Sequence, residues 1–130
     1  AGNFLPGALT MVLPKKEIIP SLLVAGRDTI GIRIPDNRVI LDLATMLNLP
    51  LTTTSANISG RPTPYSIQEV MDQTGETIAK VALGLDQGSL PLRELSTIID
   101  LTVEPPQLIR QGRVSWLEIR QVLQSLKGSD

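Results

Sequence analysis

The sequence of 130 residues contains neither cysteine nor histidine. The lack of cysteine excludes disulfides, thiolate zinc sites and cysteine nucleophiles. The lack of histidine excludes an imidazole base, histidine-ligated metals and a Ser-His-Asp triad. Any chemistry therefore depends on arginine, lysine, carboxylates, hydroxyls, amides and backbone N–H groups. This set favours electrostatic and positional catalysis, as in phosphoryl or nucleotidyl transfer.

Aromatic residues and long apolar runs are also scarce. Only 2% of the residues are aromatic while 42% are hydrophobic, so we expect a core of leucine, isoleucine, valine, alanine and methionine. The net charge of -1 gives no global positive field for nucleic acid or anionic lipid, although a local basic patch is compatible with it. No segment has the pattern of a signal peptide or a membrane span, which predicts a cytoplasmic protein without a membrane partner.

Strand patterns alternate with helical patterns, which predicts one α/β domain over residues 1–127 and a frayed tail at 128–130. The strand patterns lie at 8–13, 29–34, 51–54, 80–85, 96–102 and 107–110. The helical patterns lie at 17–24, between an Asp36 cap and Pro50, at 66–73 with capping-box spacing, and after Ser115. The expected buried face of the last helix consists of Ile119, Val122, Leu123 and Leu126.

The loop at 53–64 (TTSANISGRPTP) groups hydroxyls, an amide, a glycine and an arginine in one place. It follows a predicted strand, at the end of a sheet where open α/β folds place their ligands. Its donors suit a small, polar, anionic ligand. The alternative is a tight turn in which Asn57 and Ser59 bond only to the local backbone. The sequence alone leaves both interpretations open.

Polar residues also occur in apolar strand patterns. Arg33 lies between two isoleucines, so it either reaches solvent or meets an anion such as an amino-acid carboxylate. Ser96 starts a strand pattern, either as a site residue or as the ordinary polar end of a strand. Arg110 and Arg113 flank Gly112, and two interpretations of this pair stay open: a phosphate clamp and a solvated turn. The carboxylates show no paired spacing that would argue for acid–base chemistry or a metal site.

Five segments occur in the order and spacing of one known family. They are FLPGALT at 4–10, GIRIP at 31–35, SANISGR at 55–61, STIID at 96–100 and LIRQG at 108–112. The chain therefore resembles the YrdC/TsaC family, the threonylcarbamoyl-AMP synthases, over essentially its whole length. The resemblance implies an α/β fold with a twisted, open mixed sheet and flanking helices.

The resemblance also implies a reaction and its site. Family members join L-threonine, bicarbonate or CO₂, and ATP into threonylcarbamoyl-AMP and pyrophosphate, and transferase partner proteins then modify tRNA. The residues that would hold threonine are Arg33, Thr53 and Ser96, and those that would contact ATP are Thr29, Ser55, Thr63 and Arg110. Ser55 and Asn57 form the S-x-N signature, to which the catalytic role is assigned. Mg²⁺ is expected to arrive with ATP rather than on ligands from the chain.

The chain also departs from the family pattern. A P-T-[DE]-T-x-Y-G-L-like loop and a K-x-R motif, which begin the family's sequences, are not among these residues, and Ala1 takes the place of an initiator methionine. We therefore expect a fragment or a trimmed product that lacks the family's N-terminal segment. Since the phosphate-facing cations of K-x-R would be missing, we expect little or no activity from these residues alone.

Two alternatives come from other classes of protein. The first is a non-catalytic module that binds tRNA or double-stranded RNA through Arg33, Arg61, Arg110 and Arg113. The negative net charge and the scarcity of aromatic residues for base stacking argue against this alternative. The second is a YrdC-like domain within a carbamoyl-transferring hydrogenase-maturation protein. Such proteins are much larger and rich in cysteine and histidine, so this short chain without either residue offers no support for that alternative.

Overall fold

The computed structural model describes residues 2–91 and 95–127. They divide into two compact units, one formed by Ala1–Leu49 with Glu94–Asp130 and the other by Pro50–Arg93. The predicted tail at 128–130 lies outside the described residues, and the single domain over 1–127 stays a prediction. No helix within the described ranges has the length and apolarity needed to cross a membrane.

The first unit contains a sheet of four strands. The strands are β1 (Leu9–Pro14), β2 (Thr29–Ile32), β3 (Thr97–Asp100) and β4 (Gln107–Arg110), in the order β2-β1-β3-β4. β1 pairs with β3 in parallel, and the two outer pairings are antiparallel. This open mixed sheet with helices confirms the predicted α/β fold class.

Three α-helices and two short 3₁₀ segments complete the described structure. The helices are α1 (Arg38–Leu47), α2 (Ile67–Thr74) and α3 (Trp116–Lys127), and the 3₁₀ segments are Ser21–Val24 and Gly75–Lys80. The helix predicted at 17–24 is reduced to its last turn, since Pro20 immediately precedes the first 3₁₀ segment. Proline disfavours helical backbone at the preceding residue and lacks the N–H that an earlier turn would need.

Side-chain caps fix where two helices begin. Asn37, not the predicted Asp36, caps α1: its Oδ1 accepts from the Ile40 N–H at 3.1 Å. Both residue types cap well, so the sequence could not separate two adjacent candidates. The Ser66 cap of the predicted capping box at α2 is confirmed, because Ser66 Oγ accepts from the Glu69 N–H at 3.2 Å. The reciprocal bond differs, because Glu69 Oε2 accepts at 2.8 Å from the N–H of Tyr65, one residue before the cap.

Two predicted strands, at 51–54 and 80–85, are wrong. Both stretches belong to the second unit, whose described residues form helical segments and loops but no strand. Their side chains are exposed, as shown by the 76% exposure of Leu83. An apolar strand pattern is not enough without a neighbouring strand to pair with.

The core of the first unit lies between one face of the sheet and α3. Leu9, Ile99 and Ile119 are each only 2% exposed. Around them pack Phe4, Leu5, Met11, Leu101, Leu108, Val114, Trp116 and Leu123. The alternation of strand side chains places Leu9 and Met11 on this face and leaves Thr10 on the other. The prediction that Leu126 is buried is wrong, because the cluster reaches along α3 only to Leu123 and Leu126 is 62% exposed.

We expect Ile119→Ala to lower the free energy of unfolding by about 2–5 kcal/mol, because it opens a cavity among well-packed neighbours. Urea denaturation followed by circular dichroism measures this change. Ile18→Ala is the matched control, since Ile18 is 83% exposed and its truncation should change stability little. Equal losses in the two variants would contradict the assignment of the core.

Candidate functional site

Ser96 and Arg110 form a hydrogen-bonded pair at one end of the sheet. Ser96 directly precedes β3, and Arg110 is the last residue of β4, paired with Ile98. The Arg110 guanidinium donates to the Ser96 carbonyl oxygen from Nε at 3.1 Å and from Nη2 at 2.8 Å. Nη2 also donates to Ser96 Oγ at 3.2 Å. The structure thus brings together a residue assigned to threonine and a residue assigned to ATP.

Thr10 belongs to the same cluster and was missed as a site residue. Its Oγ1 lies 3.2 Å from Ser96 Oγ, and both groups are half-buried. The two hydroxyls are close because β1 and β3 are parallel, with Leu9 opposite Thr97. In the sequence, Thr10 is only the last residue of the family segment at 4–10. The signal that could have marked Thr10 is its polar side chain, on the strand face opposite the one that Leu9 and Met11 turn to the core.

Thr97 and Gly112 hold the backbone beneath this cluster. Thr97 is fully buried, and its Oγ1 donates to the Val114 carbonyl at 2.6 Å and accepts from the Gly112 N–H at 3.0 Å. A Cβ on Gly112 would clash with the Leu95 carbonyl oxygen and lie 2.6 Å from the Ser96 carbonyl carbon. Gly112 is therefore required for close approach of two backbone segments, a role that the sequence pattern did not indicate.

Arg33 lies just past β2, close to the residues that lead into β1. Its Nε donates to the Gly7 carbonyl oxygen at 2.9 Å, and the Gly7 N–H donates to the Ile34 carbonyl at 2.8 Å. Nη1 and Nη2 have no partner among the described residues, and the side chain is exposed. The guanidinium is thus fixed at one nitrogen and presents two others to solvent or to an anion.

Thr29 is in the first unit but not in the cluster. It is the first residue of β2 and lies opposite Pro14, the last residue of β1. Ser96 adjoins Thr97, which lies opposite Leu9 at the start of β1. Five residues of strand separate Leu9 from Pro14, about 17 Å. Thr29 and Ser96 therefore stand at opposite ends of the sheet.

The polar loop of the second unit is held together by amides. Asn57 Nδ2 donates to the Arg61 carbonyl at 2.8 Å and to the Ile58 carbonyl at 3.2 Å. Gln73, on α2, donates through Nε2 to the Pro62 carbonyl at 2.9 Å and accepts from the Ile58 N–H at 3.4 Å. No local sequence signal marks Gln73, because its partners lie more than ten positions earlier.

The remaining loop groups are available for a ligand. The side chains of Thr53, Ser55 and Thr63 are exposed and have no hydrogen-bond partner within the described part of the chain. Asn57 Oδ1 is buried without a partner, although the amide nitrogen of the same side chain is fully used. Asn57 therefore bonds to the local backbone through its amide nitrogen, as the tight-turn alternative expects, but its Oδ1 has no partner within the described residues.

Asp100 closes the far end of β3. Its Oδ1 accepts from Thr102 Oγ1 at 2.6 Å and from the Thr102 N–H at 2.8 Å, and these two bonds lower the pKa of the carboxyl below its ordinary value. Asp100 stays ionised near neutral pH as a turn-forming acceptor. Within residues 2–91 and 95–127, no group of three or more acidic side chains is placed to hold a metal ion.

Comparison with known proteins identifies the family. A family model described as "Telomere recombination", built on Sua5, YciO and YrdC proteins, matches residues 1–112. This chain belongs to the Sua5/YciO/YrdC family. The resemblance inferred from the five sequence segments is thereby confirmed.

Similar proteins of this family include threonylcarbamoyl-AMP synthases. The synthase of Pyrococcus abyssi is 37% identical over 127 residues, which are 98% of this chain and 36% of that protein. The synthase of Bacillus subtilis is 33% identical over 122 residues, 93% of this chain and 34% of that protein. The crystal structure of P. abyssi Sua5 complexed with L-threonine matches with a TM-score of 0.82 and 38% identity, over 94% of this chain and 35% of that one. The chain spans about a third of the length of these relatives.

We expect Gly112→Ala to destabilise the fold and to displace Ser96, because the new methyl group would meet backbone atoms that cannot move independently. A loss of about 1–3 kcal/mol in the free energy of unfolding is typical of such overpacking. Gly2→Ala is the control, since a Cβ on Gly2 meets nothing within 4 Å. Urea denaturation measures both, and a stable Gly112→Ala variant would contradict the close approach.

Proposed function

We propose that this chain carries part of the substrate site of a threonylcarbamoyl-AMP synthase, which forms threonylcarbamoyl-AMP and pyrophosphate from L-threonine, bicarbonate or CO₂, and ATP. The observation that carries the proposal is the hydrogen-bonded pair of Ser96 and Arg110. This pair supports the proposal, because the family resemblance assigns Ser96 to threonine and Arg110 to ATP. The identity to proteins named as synthases supports the same reaction.

The overall reaction is a nucleotidyl transfer. The amine of threonine forms an N–C bond with CO₂ and gives a carbamate. A carbamate oxygen then bonds to the α-phosphorus of ATP while the bond to pyrophosphate breaks. Negative charge grows on the phosphate oxygens and the leaving group, so fixed cations and N–H donors aimed at them accelerate the step.

Of the residues that the family resemblance assigns to threonine, Arg33 and Ser96 belong to the first unit and Thr53 to the second. Arg33 has two unengaged guanidinium nitrogens, which suit the two oxygens of the amino-acid carboxylate. Ser96 contributes a half-buried hydroxyl held by its neighbours. Thr53 contributes an exposed hydroxyl. The similarity to a Sua5 structure determined with L-threonine supports threonine as the amino acid.

Of the residues that the family resemblance assigns to ATP, Arg110 and Thr29 belong to the first unit, and Ser55 and Thr63 belong to the second, which also carries Asn57 of the catalytic S-x-N pair. Within the described part of the chain, the hydrogen-bond partners of Arg110 are the neutral oxygens of Ser96, which leave its charge for a phosphate. Burying Asn57 Oδ1 without a hydrogen-bond partner costs about 1–3 kcal/mol of free energy. A ligand group that donates a hydrogen bond to this oxygen would remove that cost. Mg²⁺ would enter on the ATP phosphates with its own waters.

The proposal extends to the fate of the product. Threonylcarbamoyl-AMP is a mixed anhydride that transferase partner proteins would use to modify an adenosine of tRNA. The protein would act in the cytoplasm, where ATP, bicarbonate and tRNA are available. Direct binding of tRNA or double-stranded RNA by this chain belongs to the alternative, non-catalytic reading, and its test is a steep fall of RNA affinity with salt.

We expect Arg33→Ala to weaken L-threonine binding alone and Arg110→Ala to weaken both threonine and Mg-ATP, because Arg110 also holds Ser96. A lost charged hydrogen bond is worth about 1.5–3 kcal/mol, roughly tenfold or more in Kd. Isothermal titration calorimetry of the purified chain measures each ligand. Arg38→Ala is the matched control, because Arg38 is an exposed cation paired with Asp42 on α1. A loss in Arg38→Ala equal to that in Arg33→Ala would contradict the proposed subsite.

We also expect the 130 residues on their own to form little product from threonine, bicarbonate and ATP. The K-x-R cations expected opposite the S-x-N pair are not in this sequence, and transition-state charge would be only partly compensated. Release of pyrophosphate, coupled to a colorimetric assay, measures turnover. Robust threonine-dependent release by the isolated chain would contradict this expectation.

A further inference from the structure

Ser96 Oγ is the meeting point of two side chains from neighbouring strands. Arg110 Nη2 lies 3.2 Å from it on one side, and Thr10 Oγ1 lies 3.2 Å from it on the other. A serine hydroxyl has one proton and two lone pairs. Which of these the neighbours occupy decides what Ser96 can offer to a ligand.

Chemistry fixes the direction of one of these two hydrogen bonds. A guanidinium can only donate, so Arg110 occupies one lone pair of Ser96 Oγ. Between Thr10 and Ser96 either hydroxyl can donate, and neither has another acceptor among residues 2–91 and 95–127. A ligand oxygen that accepts the Ser96 proton selects the arrangement in which Thr10 donates to the second lone pair of Ser96 Oγ.

The methyl group of Thr10 lies on the side of β2. A Cβ placed on Gly31 of β2 would lie at an ordinary van der Waals distance, 3.6 Å, from Thr10 Cγ2. The hydroxyl lies on the opposite side, against Ser96. Since a β-branched side chain has few rotamers, the position of the methyl group and the position of the hydroxyl are coupled.

We propose that Thr10 is a positioning residue that, together with Arg110, makes the Ser96 hydroxyl a donor for the carboxylate of L-threonine. The inference rests on the proposed function and adds Thr10 to its threonine subsite. A hydroxyl whose lone pairs are both occupied can only donate. It therefore favours an anionic oxygen and gains nothing from a ligand group that must itself donate.

The test compares L-threonine with L-threoninol, which lacks the carboxylate, by calorimetry on the purified chain. We expect Thr10→Val, which keeps the branched shape, to weaken L-threonine binding about tenfold and to change threoninol binding little. Ser96→Ala should act in the same way. Thr10→Ser, which keeps the hydroxyl, should retain most of the affinity for L-threonine. Thr10→Ala is a second variant that lacks the hydroxyl, should Thr10→Val fail to give the wild-type circular dichroism spectrum.

The outcomes separate this inference from the function on which it rests. Wild-type threonine affinity in folded Thr10→Val, with a loss in Ser96→Ala, would overturn the role of Thr10 while the threonine site stands. Equal weakening of L-threonine and L-threoninol in Thr10→Val would reveal a packing effect and also overturn it. A folded wild-type chain that binds no L-threonine would overturn the proposed function, and the inference with it.

Discussion

The parallel pairing of β1 with β3 is the constraint on which the rest of the first unit depends. It joins residues 9–12 to residues 97–100, across more than eighty positions of sequence. On one face of this pair, Leu9 and Ile99 meet Ile119 of α3 and form the core. On the other face, Thr10 meets Ser96. A one-residue change of register would exchange the two faces, so core packing and the arrangement of the cluster specify each other.

The cluster also depends on how closely two backbone segments approach each other. Gly112 fits directly against the residues that lead into β3, and Thr97 joins the same segments through its buried hydroxyl. Arg110 then reaches Ser96 from two positions before Gly112. Since the glycine has no positive φ, its role here is a lack of volume rather than conformational freedom. The same two segments that pack the sheet edge thus set the distance between Ser96 and Arg110.

Sequence patterns predicted the elements whose signals are local. The Ser66 cap of α2 acts over four residues, and β4 spans Gln107–Arg110, as predicted. The strands predicted at 51–54 and 80–85 failed because pairing is not local: a short apolar run forms a strand only when another strand lies beside it. The choice between Asp36 and Asn37 failed because two good caps stood side by side.

The same distinction applies to the site. Arg33, Ser96 and Arg110 stand out because each is polar in an apolar pattern, and the family resemblance gave them roles. Gln73 has no such signal, since its residue type is ordinary on a helix and its partners lie more than ten positions away. Thr10 and Gly112 lie in segments that the sequence marks, but the contacts that define their roles form only in the folded chain.

The arginines of the described residues differ in the charge of their hydrogen-bond partners. Within the described residues, Arg38 is paired with a carboxylate of Asp42. Arg33 and Arg110 instead donate to carbonyl and hydroxyl oxygens, which orient a guanidinium without neutralising it. The local field at these arginines is therefore positive although the net charge of the chain is -1. Neutral acceptors fix the cations in place, and the charge itself is left for a carboxylate or a phosphate to satisfy.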